Sequence, residues 1–237
     1  MTPIDLNSRH ALITGGLGSI GQSLVQSFLA AGASVTVLDR PGATAPTGCG
    51  WIGADLNDLA ATHAHTTAAG PFDILVNNAA IIVNKPFEAF TLEEYEEQIR
   101  VNSSAAFALA RACAPAMKAK GWGRIINLTT LAMNGQWDGF VPYVASKSAM
   151  LGLTKGLARE LGSYGITVNA IAPGAVISDA ENRVFADRLE QYNKTTLERQ
   201  CLKSRIQPQD VANLAIFLAS DAARMITAQN ICIDGGW

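Results

Sequence analysis

The chain has 237 residues, 49% of them hydrophobic and 16% charged, with a formal net charge of -2. That length can bury a sizeable core, and the near-neutral balance leaves no broad basic field for nucleic acid or an anionic membrane, so small molecules are the expected partners. The opening stretch MTPIDLNSRHALITGG has neither a charged segment before a long apolar core nor an Arg-rich amphipathic pattern, which predicts a soluble cytoplasmic protein.

In chain order, short apolar runs rich in β-branched residues alternate with longer Ala- and Leu-rich stretches. The first run, ALIT at 11–14, leads through Gly15, Gly16, Gly18 and Gly21 into a helix predicted over 19–31. SVTVLD at 34–39 reads as the next strand. The following RPGATAPTGC, 40–49, is rich in Pro, Gly and Thr and too short for a typical helix, so a loop is expected in the second crossover. A helix over 56–69 precedes the strand DILVNN (73–78), a long helix over 91–119 precedes RIINLT (124–129), and one over 142–164 precedes ITVNAIAP (166–173). A polar stretch at 179–204 reads as a helical lid, with Val184, Phe185, Leu189 and Tyr192 at roughly helical spacing; a helix over 208–219 and the strand NICID (230–234) complete the pattern. Unbroken apolar strands between helices predict a parallel sheet covered on both faces, a doubly wound α/β fold of Rossmann type. No repeat or low-complexity linker marks a boundary, so residues 1–237 are expected to form a single domain.

The glycine turn suits a pyrophosphate, because glycines let the backbone approach closely and the helix N-terminus favours negative charge. Asp39, eighteen residues beyond Gly21, would accept hydrogen bonds from an adenosine ribose diol and repel a 2′-phosphate. That favours NAD over NADP, although Arg40 could welcome a phosphate and Asp39 could be no more than a polar strand end. In PYVASKSAM, residues 142–150, Tyr143 and Lys147 stand one helical turn apart, phenol beside ammonium. A free tyrosine has a pKa near 10, and a neighbouring ammonium favours the phenolate, so Lys147 is expected to let Tyr143 exchange protons near pH 7. Asn102 lies within the otherwise helical QIRVNSSAAFALARA, where asparagine is a poor helix former and invites a functional reason. Cys49, Cys113, Cys201 and Cys232 lie far apart without metal-ligand spacing, and His63 and His65 have no ligating neighbours, so neither disulfides nor a metal site are expected.

These residues together resemble the short-chain dehydrogenase/reductase family, through TGGLGSIG, Asp55 after the family's third strand, NNAA, Asn102, YVASK and PGAVIS, in the right order over essentially the whole chain. The resemblance implies a nicotinamide cofactor and hydride transfer between alcohol and carbonyl. It implies that Gly15, Gly18, Ser19, Ile20 and Gly21 hold the pyrophosphate, and that Asp39, Asp55 and Leu56 face the adenosine. Asn78 and Ala79 would support the cofactor, Pro173, Gly174, Val176 and Ser178 would embrace its nicotinamide end, and Lys147 would bind the nicotinamide ribose beside Tyr143. It makes Asn102, Thr130, Tyr143 and Lys147 catalytic: Tyr143 as acid and base, Thr130 holding the substrate oxygen, and Asn102 anchoring a water that links Lys147 to solvent. Four departures stand out: Ser19 fills the family's middle glycine slot with Gly18 one place earlier, Ala80 replaces the last glycine of the N-N-A-G motif, Thr130 stands where a catalytic serine is usual, and a loop replaces the second crossover helix.

Two segments are expected to shape the substrate pocket, LAMNGQWDGFVP at 131–142 and the lid at 179–204. In the first, Asn134, Gln136, Trp137 and Asp138 set amide and acid groups beside an indole, which suits a sugar, sugar acid or cyclic alcohol; a Trp137 that merely packs is the alternative. The long helix over 91–119 offers more apolar face than one sheet layer needs, and the resemblance implies pairing between subunits, hence a homo-oligomer, a tetramer before a dimer. Two other readings remain: an NADPH-dependent carbonyl reductase of 3-oxoacyl type, and a nucleotide-sensing protein that keeps the fold without the chemistry.

Overall fold

The computed structural model describes residues 4–237 and places them around one seven-stranded parallel sheet of order β3-β2-β1-β4-β5-β6-β7. The strands are β1 His10–Thr14, β2 Ser34–Asp39, β3 Gly50–Gly53, β4 Ile74–Asn77, β5 Gly123–Leu128, β6 Ile166–Pro173 and β7 Asn230–Ile233. The order reverses between β1 and β4, the switch point beside which α/β sheets open a crevice at the carboxyl ends of their strands. β4, β5 and β6 are buried along their whole length, because helices cover both faces.

On one face lie α1 Ser19–Ala30 and α8 Pro208–Ala219, which bury Leu24, Val25, Phe28, Val211 and Leu218 against Ile13, Val35 and Val76. The other face carries α2 Leu59–Ala69, α4 Ala105–Lys120 and α5 Val141–Leu161, where Leu109, Met117 and Leu161 pack on Leu12, Leu75 and Val168. The long expected helix begins with α3, Leu92–Ile99, and passes through a π-helical turn at Arg100–Ser104 into α4. Beyond β6 the polar stretch folds into α6 Asp179–Val184 and α7 Leu189–Arg199, joined by a 3-10 turn.

The loop expected over 40–49 is present, but it leads into β3, a strand absent from the six apolar runs. GWIG offers only four residues bracketed by glycines, too little for a period-2 signal, and is held by its edge pairing with Thr36 to Asp39. Among the described residues no helix is long and apolar enough to cross a membrane.

Candidate active site

The carboxyl ends of β1, β2, β4, β5 and β6 open into one cavity of ≈ 1090 Å³. The turn after β1 has no room for a side chain at two of its glycines: a Cβ at Gly21 would lie 2.0 Å from the Gly15 carbonyl oxygen, and one at Gly15, whose φ is +66°, would lie 2.9 Å from the Ala79 Cα. α1 then starts at Gly18 without a side-chain cap, which leaves its first-turn N–H groups to the cavity. Thr14 locks this turn to the end of β4, its hydroxyl accepting from the Asn78 and Ala79 N–H groups at 3.0 Å each, while Asn78 Nδ2 donates to the Thr14 and Gly15 carbonyls at 2.9 and 3.1 Å. Ser19, in the family's glycine slot, exchanges hydrogen bonds with Asp179, donating at 3.2 Å and accepting at 3.1 Å, and so ties the turn to the first residue of α6.

Asp39 ends β2 on the cavity wall. Its carboxylate accepts from the Leu17 N–H at 3.1 Å and the Arg40 N–H at 2.8 Å, which fixes the oxygens and leaves further lone pairs toward the cavity. Asp55 and Leu56 line the same end, with Asp55 holding the Asn57 N–H at 2.9 Å. At the other end Pro173, Gly174, Val176 and Ser178 form the wall, and the Ser178 hydroxyl caps α6 by accepting from Glu181 N–H at 3.1 Å. A turn closed to side chains at Gly15 and Gly21, an uncapped helix N-terminus and a fixed carboxylate beyond β2 fit a dinucleotide, whose pyrophosphate would lie along Gly15 to Gly21 and whose nicotinamide end would lie between Gly174 and Tyr143.

Tyr143 stands in the first turn of α5 with Lys147 one turn on, buried to 1% exposure, its Nζ donating to the Leu128 carbonyl at 2.6 Å. Thr130 follows β5; its Oγ1 accepts from the Ala132 N–H at 3.1 Å, and it shares the cavity wall with Tyr143. Burial pushes the Tyr143 phenol up to about 12, against a downward pull from Thr130, and burial pulls the Lys147 ammonium down to about 7. In the cofactor-free site burial thus favours the neutral form of both groups, against the help that Lys147 is expected to give Tyr143. The Lys147 Nζ is 5.8 Å from the phenol ring centroid and donates to the Leu128 carbonyl.

Of the residues expected to be catalytic or to hold the cofactor, Asn102 alone does not line the cavity. It is fully buried in the π-helical turn; its Oδ1 accepts from Ile81 N–H at 2.7 Å, and its Nδ2 donates to the Ile81 carbonyl and the Ser146 hydroxyl, each at 2.9 Å. Ser146 in turn donates to the Tyr143 carbonyl at 2.7 Å, so Asn102 and Ser146 brace the first turn of α5 against the segment after β4. With both amide hydrogens used, the side chain has none left to donate to a water.

The substrate end is more aromatic than the sequence suggested. Trp137, Phe140, Phe185, Tyr192 and Trp237 line the cavity beside Tyr143. Phe185 and Tyr192 stack at 3.9 Å between centroids, and Trp137 lies 5.3 Å from Tyr192 and 5.5 Å from Trp237. Phe185 and Tyr192 carried a helical periodicity that reads equally as core; Trp237 carried no signal. The polar groups expected beside Trp137 do not line the cavity: Asn134, Gln136 and Asp138 are exposed, and Gln136 accepts from Arg199 and from the Trp237 indole N–H. The glycines on either side, Gly135 at φ +74° and Gly139 at +77°, turn this loop so that the indole alone of the four faces inward.

A family model described as Enoyl-(Acyl carrier protein) reductase matches residues 15–237. The chain is 33% identical over 242 residues to D-xylose 1-dehydrogenase of Caulobacter vibrioides, covering 98% of this chain and 96% of the relative. It is 40% identical over 167 residues to a 3-oxoacyl-[acyl-carrier-protein] reductase of Staphylococcus epidermidis, covering 70% and 67%. The crystal structure of a gluconate 5-dehydrogenase from Burkholderia cenocepacia, in complex with NADP and tartrate, superimposes with a TM-score of 0.91 at 31% identity, over 98% of this chain and 96% of that one. The chain belongs to the short-chain dehydrogenase/reductase family.

Proposed function

We propose that this protein is an NAD-dependent dehydrogenase of a ring-borne secondary alcohol, a sugar, sugar acid or cyclic alcohol. The observation that carries the reading is the aromatic cage of Trp137, Phe140, Phe185, Tyr192 and Trp237 set directly against Tyr143 and Thr130. Such walls suit the apolar face of a ring, and Tyr143 and Thr130 stand ready at one of its hydroxyls.

In oxidation, Thr130 donates a hydrogen bond to the substrate oxygen, Tyr143 as phenolate takes the hydroxyl proton, and the hydride on the same carbon passes to the nicotinamide; reduction runs the same path backward. When bound, the oxidised nicotinamide supplies the hydride acceptor and a positive charge. The two ammonium hydrogens of Lys147 not given to Leu128 would hold its ribose. That binding sets Lys147 and Tyr143 to work as a pair in a water-poor site, where added positive charge brings the phenol down from its buried value. Asp39 supports NAD, since a 2′-phosphate would meet a fixed carboxylate. Arg40 on the cavity wall, together with the NADP in the Burkholderia relative, supports the alternative of an NADPH-dependent reductase of 3-oxoacyl type.

Absorbance at 340 nm separates them. Neutral sugars, sugar acids and cyclic alcohols are offered with NAD⁺ and NADP⁺, and a 3-oxoacyl thioester with NADH and NADPH. Turnover of a ring substrate, at least about tenfold more efficient with NAD⁺, is expected, the ratio set by one repelled phosphate. Turnover confined to the thioester with NADPH would overturn the reading.

A further inference from the structure

The lid contains a buried ion pair that the chemistry above does not use. Glu181, in the first turn of α6, is 8% exposed and lines the cavity, and its carboxylate meets the guanidinium of Arg205. The two stand 24 residues apart, one at the start of the lid and the other just past its end, so their contact closes the neck of the whole segment. Arg205 also donates to the Ala175 carbonyl at 3.2 Å, and the adjoining chains are zipped by Val176 pairing with Ile206 and by the Ile177 N–H donating to the Ile206 carbonyl at 3.0 Å. The pair is thereby anchored to the loop that walls the nicotinamide end.

Its other neighbour is Tyr192. The Arg205 guanidinium carbon is 5.6 Å from the Tyr192 ring centroid, the Tyr192 hydroxyl lies close to both the Glu181 carboxylate and the Thr196 hydroxyl, and the ring itself stacks on Phe185 and flanks Trp137. Stacking on Phe185 restrains the Tyr192 ring on one side, and a partner for its oxygen adds a second point that fixes its rotamer. A buried carboxylate offers a strong acceptor for that oxygen. A buried ion pair is weak evidence for stability, because desolvation offsets much of its attraction, and a well-packed apolar pair can replace it at little cost.

We propose that Glu181, oriented by Arg205, is a positioning residue that holds Tyr192 as the far wall of the substrate cage and so couples the nicotinamide loop to substrate recognition. This rests on the ring-alcohol reading of the same cavity. The role is binding rather than chemistry: with the wall loose, a ring substrate loses contact area equally in ground and transition states, so KM rises while kcat changes little.

The experiment uses the variant E181M/R205M, which removes both charges together and leaves neither buried alone, next to Y192F and the triple variant. With the alcohol that the wild type oxidises best, KM is expected to rise about tenfold in the double variant with kcat lowered less than about twofold, the size of one lost oriented contact. Y192F is expected to raise KM similarly, and the triple variant to add nothing further, since both changes break one link. An unchanged KM in the double variant, or KM effects that multiply in the triple, would overturn the proposal. A second arm needs no substrate: amide exchange over residues 189–199 in the NADH complex is expected to quicken in E181M/R205M, and exchange identical to wild type would overturn it as well. If the wild type oxidises no ring alcohol, the ring-alcohol reading falls, and this second arm still decides the role of Glu181.

Discussion

Burial pulls the Lys147 ammonium from 10.5 down to about 7, and this has a measurable consequence for folding. Between those two values an unfolded lysine keeps its proton while the folded one has released it. The unfolded state thus binds more protons, and stability rises with pH across that window; below about 7 both states are charged and the effect is flat. In the cofactor-free protein, lowering the pH from about 10 to about 7 is expected to favour Lys147→Met progressively over wild type in denaturant unfolding, with a constant gap below. Parallel curves for the two proteins would show that the buried ammonium keeps its ordinary affinity. The same residue shows where sequence reasoning stops. Spacing put Lys147 and Tyr143 on one helical face, but not the Leu128 carbonyl that turns the ammonium aside. Asn102 is parallel: its poor helix propensity marked it as exceptional, while its partners Ile81 and Ser146 come from distant segments that only the fold unites.

At the scale of elements, those with many residues and a strong period were legible. α8, Pro208–Ala219, has the bounds expected, and α1 and α5 differ by a residue or a few at their ends, where caps rather than periodicity decide. β3 was implied only by the resemblance, through the position of Asp55, and not by periodicity, because an edge strand of four residues takes its conformation from its neighbour. The aromatic cage was half legible: helical spacing paired Phe185 with Tyr192, but a stripe of that kind does not say whether it faces core or ligand, and Trp237 reaches the site only through tertiary folding. The α3–α5 layer bears on assembly. Leu92, Tyr95, Phe107 and Val141 leave 72%, 38%, 49% and 47% of their surfaces exposed on these helices, which supports pairing between copies of the chain and, we propose, a tetramer. Light scattering at micromolar concentration is expected to give four times the chain mass; the mass of a single chain would refute the assembly.

For the whole molecule, the architecture concentrates its chemistry at the carboxyl edge of one parallel sheet. On the proposed reading the turn after β1 would receive a pyrophosphate and the carboxylate ending β2 would read the ribose; β5 delivers Thr130, α5 delivers Tyr143 and Lys147, and β6 leads into the lid that carries Phe185 and Tyr192 of the aromatic cage. The sheet edge would thus hold the cofactor, while recognition of the alcohol would fall to the loop before α5, the lid and Trp237. This division explains why the sequence motifs point so firmly to dinucleotide and hydride chemistry and so weakly to the substrate.

The central claim is that the Tyr143 hydroxyl exchanges the proton of the alcohol whose hydride goes to the nicotinamide. Its most direct test is the rate of NADH formation in Tyr143→Phe beside wild type, at saturating NAD⁺ and alcohol, with NADH binding followed in parallel by fluorescence. The account predicts a fall of at least about a thousandfold in rate, the scale of a lost general base, with NADH affinity changed less than about threefold. A variant that still forms NADH within about tenfold of the wild-type rate would place the base elsewhere and contradict the account.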